Sequence, residues 1–224
     1  MPVNLYASTW RFKLRSILLA VSLFVLALPL GGIYFLRIYE NELVKQTELE
    51  LISQAALISA VYKREIALLA AERKRGDYGI LIVPPPVIDD YYTPVRAELD
   101  LRAAEIKARP QEAQKTELQA DPIALEAGSR LSPLLLEAQR TTLSGVRILD
   151  YRGIVVGGRA DGGLSLAHLE EFQRARSGRY VSLIRERAIH RPTRALASIS
   201  RGTGIRVFVA FPVLTENKLL GVVL

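Results

Sequence analysis

Val146–Gly158, VRILDYRGIVVGG, is where the chain changes period. Up to Gly145 the apolar residues recur at helical spacing, and from Val146 they recur at strand spacing. Val146 to Asp150 reads as a strand, Tyr151-Arg152-Gly153 as a turn and Ile154 to Gly157 as a second strand, which together predict a hairpin. Downstream, Gly157 to Gly163 is a long turn, and Leu164 to Ser177 predicts a short helix ended by Gly178. Tyr180 to Arg187 predicts a third strand. Ile205, Val207, Val209, Phe211 and Val213 fall on one face of a fourth. Thr215 to Lys218 turns the chain into a fifth, Leu219 to Leu224. Strands linked by short turns imply an antiparallel sheet, and helices packed on one of its faces make the domain α+β.

Upstream the signals are helical. Asp121-Pro122 places a capping acid before a proline at the first helical position, so a helix is expected over Ile123 to Leu143. Leu131, Leu134, Leu135 and Ala138 form its expected core face, with Pro133 a local defect. Pro110 to Pro122 reads as irregular and solvated, and Val95 to Ala108 as a charged helix. Pro84-Pro85-Pro86 and Asp89-Asp90 mark a loop after Gly76-Asp77-Tyr78-Gly79. Arg37 to Arg75 has no Pro or Gly and predicts a long helix. Val44, Leu51 and Ile58 recur at sevens beside Ala55, Tyr62 and Leu69, while Glu48 and Glu65 interrupt the seam. Such a stripe packs either on its own domain or also on a second subunit.

Further back lies Ser16–Leu36, SILLAVSLFVLALPLGGIYFL, 21 residues without a charge. That length matches the roughly 30 Å hydrocarbon core of a bilayer. Arg11, Lys13 and Arg15 precede it, which predicts a cytoplasmic N-terminus and export of everything after Leu36. A cleaved leader shares this pattern, but its apolar region is shorter and ends in a small-x-small site that is missing before Arg37. The expected organisation is a cytoplasmic tail (1–15), a spanning helix (16–38), a periplasmic helical region with a Pro-rich loop (39–145) and a sensor sheet (146–224). The expected location is a bacterial inner membrane. The chain has no cysteine, so an exported domain must rest on its core rather than on disulfides.

Charge is uneven. Val146 to Arg206 holds twelve Arg, no Lys and five acids, whereas Arg37 to Gly145 has 14 bases against 17 acids. Arginine presents a rigid fork of donors to carboxylate or phosphate. Arg147, Tyr151, Arg179, Arg185, Arg187 and Arg206 are the candidate ligand-binding residues, in or beside strands where side chains can converge on a small anion. A solvated basic face, attracted to membrane lipid, is the competing reading. The glycines at 157–163 lack a following Lys-Ser or Lys-Thr and make no nucleotide phosphate loop. His168 and His190 have no metal-ligand spacing, and Ser198, Ser200 and Thr203 have no nucleophile context. Asp89-Asp90, in a loop, is the weakest of candidate acid pairs. The sequence shows no active site, and no metal, cofactor or nucleic-acid partner is expected.

VRILDYRGIVVGGRADGGLSLAHLEEFQRARSGRYVS with IRVFVAFPVLTENKLLGVV resembles the extracytoplasmic, PAS-like (Cache-type) sensor domains of bacterial sensor histidine kinases. The matching marks are Asp150, Gly153, Ser165-Leu166, Gly178, Pro212 and Leu220-Gly221-Val222-Val223. The resemblance implies a two-component sensor, a homodimer, and a small anionic ligand or periplasmic protein as stimulus. It also implies a kinase core that uses ATP and Mg and passes phosphate to a response regulator. That core is absent here: His168 is followed by Leu-Glu-Glu and His190 by Arg-Pro, and neither is a phosphoacceptor setting. Chemoreceptors and diguanylate cyclases use similar domains, and a membrane-tethered envelope scaffold is the reading from another class. The apolar end LLGVVL further predicts that the native gene continues into a second apolar span.

Overall fold

The computed structural model describes residues 13–74, 76–83, 94–158, 161–187 and 204–224. The expected Pro84–Pro86 and Asp89-Asp90 loop, and His190, Ser198, Ser200 and Thr203, lie outside the described residues. One helix, α1 (Leu14–Glu72), runs unbroken through both the apolar run and the Arg37–Glu72 segment. Pro29 is inside it and costs only one backbone donor where neighbouring turns persist. An 18-residue window of α1 has mean hydropathy 2.4 with none of it buried, so the helix is long and apolar enough to cross a membrane. Its second half buries Val44, Glu48, Ile52, Ala55, Ser59, Tyr62, Ile66 and Leu69, a stripe at three- and four-residue spacing. This stripe packs on the chain's own sheet. Leu51 and Ile58, expected in the seam, are half-buried at its border, and Glu48, expected to interrupt it, is fully buried at its centre.

Among the described residues the sheet has seven strands: β1 (Ile80–Leu81), β2 (Ile106–Lys107), β3 (Arg147–Asp150), β4 (Val155–Gly158), β5 (Val181–Glu186), β6 (Ile205–Thr215) and β7 (Lys218–Val223). Their order is β2-β5-β6-β7-β3-β4, with β1 also on β7. The expected α+β class and the β3–β4 hairpin are both present. The sheet is mixed rather than antiparallel throughout, because β2 runs parallel to β5 through Ile106↔Ile184. β7, the apolar LLGVVL segment, lies between β6 on one side and β3 with β1 on the other, so its backbone is paired along both edges.

Helix α2 (Pro122–Thr142) begins as its sequence predicts, the Asp121 carboxylate accepting the Ile123 N–H at 2.9 Å. Its core face is Ile123, Ala124, Ala127, Gly128, Leu131 and Leu135; Leu134 is 60% exposed and Ala138 is exposed as well. The difference arises at Gly128, which rests directly on β4. A Cβ there would lie 2.2 Å from the Val156 carbonyl oxygen, and one on Gly157 would lie 2.9 Å from the Gly128 oxygen. This contact seats the side of the helix that carries Gly128, Leu131 and Leu135 on the sheet.

Two expected helices are shortened or absent. Residues 94–108 are extended, with a turn at 101–103 and β2 after it, not helical. The physical reason is that α1 side chains take the backbone donors that a helix would need: Glu48 accepts from Glu98 and Leu99, and Asn41 from Leu101 at 2.8 Å. The helix expected from Leu164 is α3 (Glu170–Ala175) alone. Ser165 instead pairs with Gln114 and Ile154, which keeps residues 164–166 extended. Helix α3 covers the face of the sheet opposite α1 and α2, so helices occupy both faces rather than one. Val209, Val213 and Ile148 join the α1–α2 core, while Leu149, Ala210 and Val222 join the α3 core.

Candidate functional site

An open groove of about 980 Å³ runs between α1 and the sheet. Leu36, Leu43, Leu51 and Ile58 form its helical wall, and Val207, Val209, Val223 and Leu224 its sheet wall. Arg147, Arg187 and Arg206 line it, with Glu40 the one acid among its described lining residues. A smaller depression beside it is lined by Arg37, Glu40, Leu101 and Arg102. A largely apolar concavity with a few converging charges is the usual form of a binding site.

Three of the six candidate residues contribute to the lining of this groove, although Val146, Ile148, Ile205 and Val207, on either side of Arg147 and Arg206, take the face that meets α1. Arg147, in β3, donates from Nε to Asp161 at 2.7 Å. Arg187 follows β5, where its backbone N–H meets the Gly204 carbonyl at 2.6 Å, and Arg206 is the second residue of β6, opposite Arg185. Both side chains are exposed and have no acid partner among the described residues. The other three lie elsewhere. Arg179 is exposed in the turn before β5. Tyr151 stacks edge-on against Tyr78 at 5.5 Å, with the Arg152 guanidinium 5.1 Å from its ring. Arg185 is buried on the α3 side, where Nη2 meets Glu171 Oε2 at 2.7 Å, Nε meets Oε1 at 3.2 Å and Nη1 meets the Ala108 carbonyl at 2.9 Å. That side chain is fully engaged in holding α3 and residue 108 to β5. The β5–β6 ladder continues past Glu186 through the Arg187 N–H to Gly204, and Arg187, unlike Arg185, is among the residues lining the groove.

Beneath the groove, Glu48 anchors α1 to the sheet. Its Oε1 accepts the Glu98 N–H at 3.1 Å, the Ser182 hydroxyl at 2.5 Å and the Tyr180 hydroxyl, and its Oε2 accepts the Leu99 N–H at 2.9 Å. Burial and the adjacent Glu48 carboxylate hold the Tyr180 hydroxyl far above its ordinary pKa, so it stays a donor. In the sequence Glu48 reads only as an interruption of the seam. The signal for its role is a carboxylate at a core position of an otherwise apolar stripe, which folds only when donors surround it.

A second buried polar cluster joins the far ends of α1, α2 and the hairpin. Asp150 Oδ1 accepts the N–H groups of Arg152 and Ile154, both at 2.9 Å, and Tyr78 donates to the Leu220 carbonyl at 2.8 Å. Burial raises Asp150 above the ordinary carboxylate pKa and raises Tyr62 and Tyr78 above the ordinary phenol range. The Tyr62 hydroxyl and Asp150 Oδ2 are buried in the same cluster. None of these residues is among those lining the groove, and both clusters hold elements of the fold together.

Comparison with known proteins returns no matching family model, no matching curated protein and no matching solved structure.

Proposed function

We propose that this chain is the stimulus-receiving, membrane-anchoring part of a bacterial sensor, the N-terminus cytoplasmic and the sheet domain periplasmic. The observation that carries the reading is α1: one rigid helix whose first half is apolar and unburied, and whose second half is bound along its length to a ligand-sized groove and a sheet. Any change in the sheet that moves Glu48, Ile52 or Tyr62 moves the membrane-spanning half with it. Signal transfer requires such an element, held in one of two positions by the stimulus. The sheet with helices packed on it supports the PAS-like resemblance, and through it the reading as the input half of a two-component histidine kinase. Under that reading the protein works as a homodimer. ATP and Mg belong to a kinase core outside these residues, and the response regulator meets only that core.

The test is the native gene. A reading frame that continues from Leu224 into a second apolar span and a kinase core establishes the kinase reading. A frame that closes at Leu224, with the protein stable in the membrane, replaces it with the envelope-scaffold reading. A frame leading to a methyl-accepting or cyclase module keeps the sensor and changes its output.

A further inference from the structure

We infer that the membrane-proximal part of α1, residues 36–48, is a latched lever with two positions. In one, Glu48 and Asn41 hold it and the groove is open; in the other, α1 tilts into the groove and the latch is released. This rests on the sensor reading above and supplies the two positions that its helix needs. The hold on α1 is uneven along its length. From Ile52 to Leu69 its buried stripe belongs to the main core, with Ile123, Leu131 and Val213. Nearer the membrane, Val44 belongs to a separate, smaller cluster with Leu99, Leu101 and Ile184. Polar contacts add to it there: Asn41 Oδ1 accepts the Leu101 N–H at 2.8 Å, and Glu48 takes four donors from residues 98–99, Tyr180 and Ser182. Asn41 and Glu48, seven residues apart, share one flank of the helix.

The groove lies on the other flank. Leu43 is 43% exposed on its helical wall, and Leu143, at the end of α2, is 86% exposed on its rim. Val207, Val209 and Val223 line it from the sheet. A tilt toward the groove buries this apolar surface and takes Glu48 away from its donors. Burial of apolar area and loss of charge-assisted hydrogen bonds are similar in size and opposite in sign, which gives one element two nearby minima. Between Arg37 and Arg75 the chain has no Gly or Pro to kink it. Helix α1 therefore tilts as one body about Ile52, where the main core begins, and the membrane-spanning half moves with it. Glu42 is about 15 Å from that pivot, so a tilt of about 20° carries it about 5 Å.

The chain has no cysteine, so E42C and T142C take nitroxide labels without background. Both positions are exposed, one on α1 and one beside Leu143 on α2. The distance between them is measured by double electron–electron resonance on the full chain in lipid bilayers. The labelled parent is expected to give chiefly the longer, latched distance. E48Q should raise a population shorter by about 5 Å at least tenfold, because an amide turns a donor toward groups that are themselves donors. Adding L43E to E48Q should restore the longer distance, since the tilt then buries a new charge. If E48Q loses its cooperative thermal melt, N41A stands in for it and should shift the populations the same way. One unchanged distance in folded E48Q, or in N41A standing in for it, overturns the proposal, and Glu48 is then a fixed anchor. A short distance that L43E leaves unaltered overturns it too, because the groove is then not what receives the helix. A separate label at Val25 reads insertion by its accessibility to oxygen; a label there that behaves as in water overturns the membrane reading, while the distances still decide the latch.

Discussion

Asp150 is the residue where burial and ionisation conflict most directly. Its folded pKa is raised by burial above the ordinary value of 3.8, so between those two values the folded state holds a proton that the unfolded state has released. Stability must therefore fall as pH rises from about 3.8 through the higher folded value, the opposite of a salt-bridged carboxylate. Asp150→Asn keeps the carbonyl oxygen that accepts from Arg152 and Ile154 and removes the charge. Thermal melts from pH 3 to 7 should show the downward slope in the parent and its flattening in this variant. Gly128 tests packing at the same scale. A helix-interior glycine replaced by alanine ordinarily gains roughly 0.5–1 kcal/mol. Here the added Cβ meets a backbone oxygen at 2.2 Å, and Gly128→Ala should instead lose about 1–3 kcal/mol in chemical denaturation.

Among the elements, α3 is held by the Arg185–Glu171 pair, with the two side chains 9% and 1% exposed. Removing one partner leaves a buried charge alone. Arg185→Ala or Glu171→Ala should each cost about 3–5 kcal/mol, whereas R185M/E171L should recover most of it. A double variant as unstable as the singles would show that packing shape, not the stranded charge, sets the cost. Arg187→Ala, by contrast, should leave the unfolding midpoint unchanged. The element boundaries show where the sequence was legible. Asp121-Pro122 starts α2 because cap and proline act locally, and the β3–β4 hairpin forms because its period and turn are local too. Residues 94–108 carried helix-forming composition, yet their backbone donors found Glu48 and Asn41, which are 50 or more residues away in sequence. No local signal contains that.

At the scale of the whole molecule, α1 sets the geometry. Its buried stripe starts only at Glu40, four residues beyond the apolar run, so the sheet domain must sit at the membrane surface if the run spans the bilayer. The placement of Arg11, Lys13 and Arg15 predicts that a reporter fused after Arg75 reads as periplasmic and one at the N-terminus as cytoplasmic. A cytoplasmic reading at the Arg75 junction would reverse the orientation and remove the basis for an extracytoplasmic sensor.

The sequence by itself determined the long helix, the switch to strands at Val146, the capped start of α2 and the uneven distribution of arginine, because each depends on residues within a few positions of one another. Only the tertiary structure decided which arginines share a site. Arg185 and Arg187 are two residues apart, yet Arg185 is spent on Glu171 while Arg187 lines the groove, since α3 supplies a carboxylate to the first alone. Tertiary pairing likewise made LLGVVL a central strand and Glu48 a buried anchor, because burying a carboxylate requires donors that four separate residues supply only once the sheet, residues 98–99 and α1 have met.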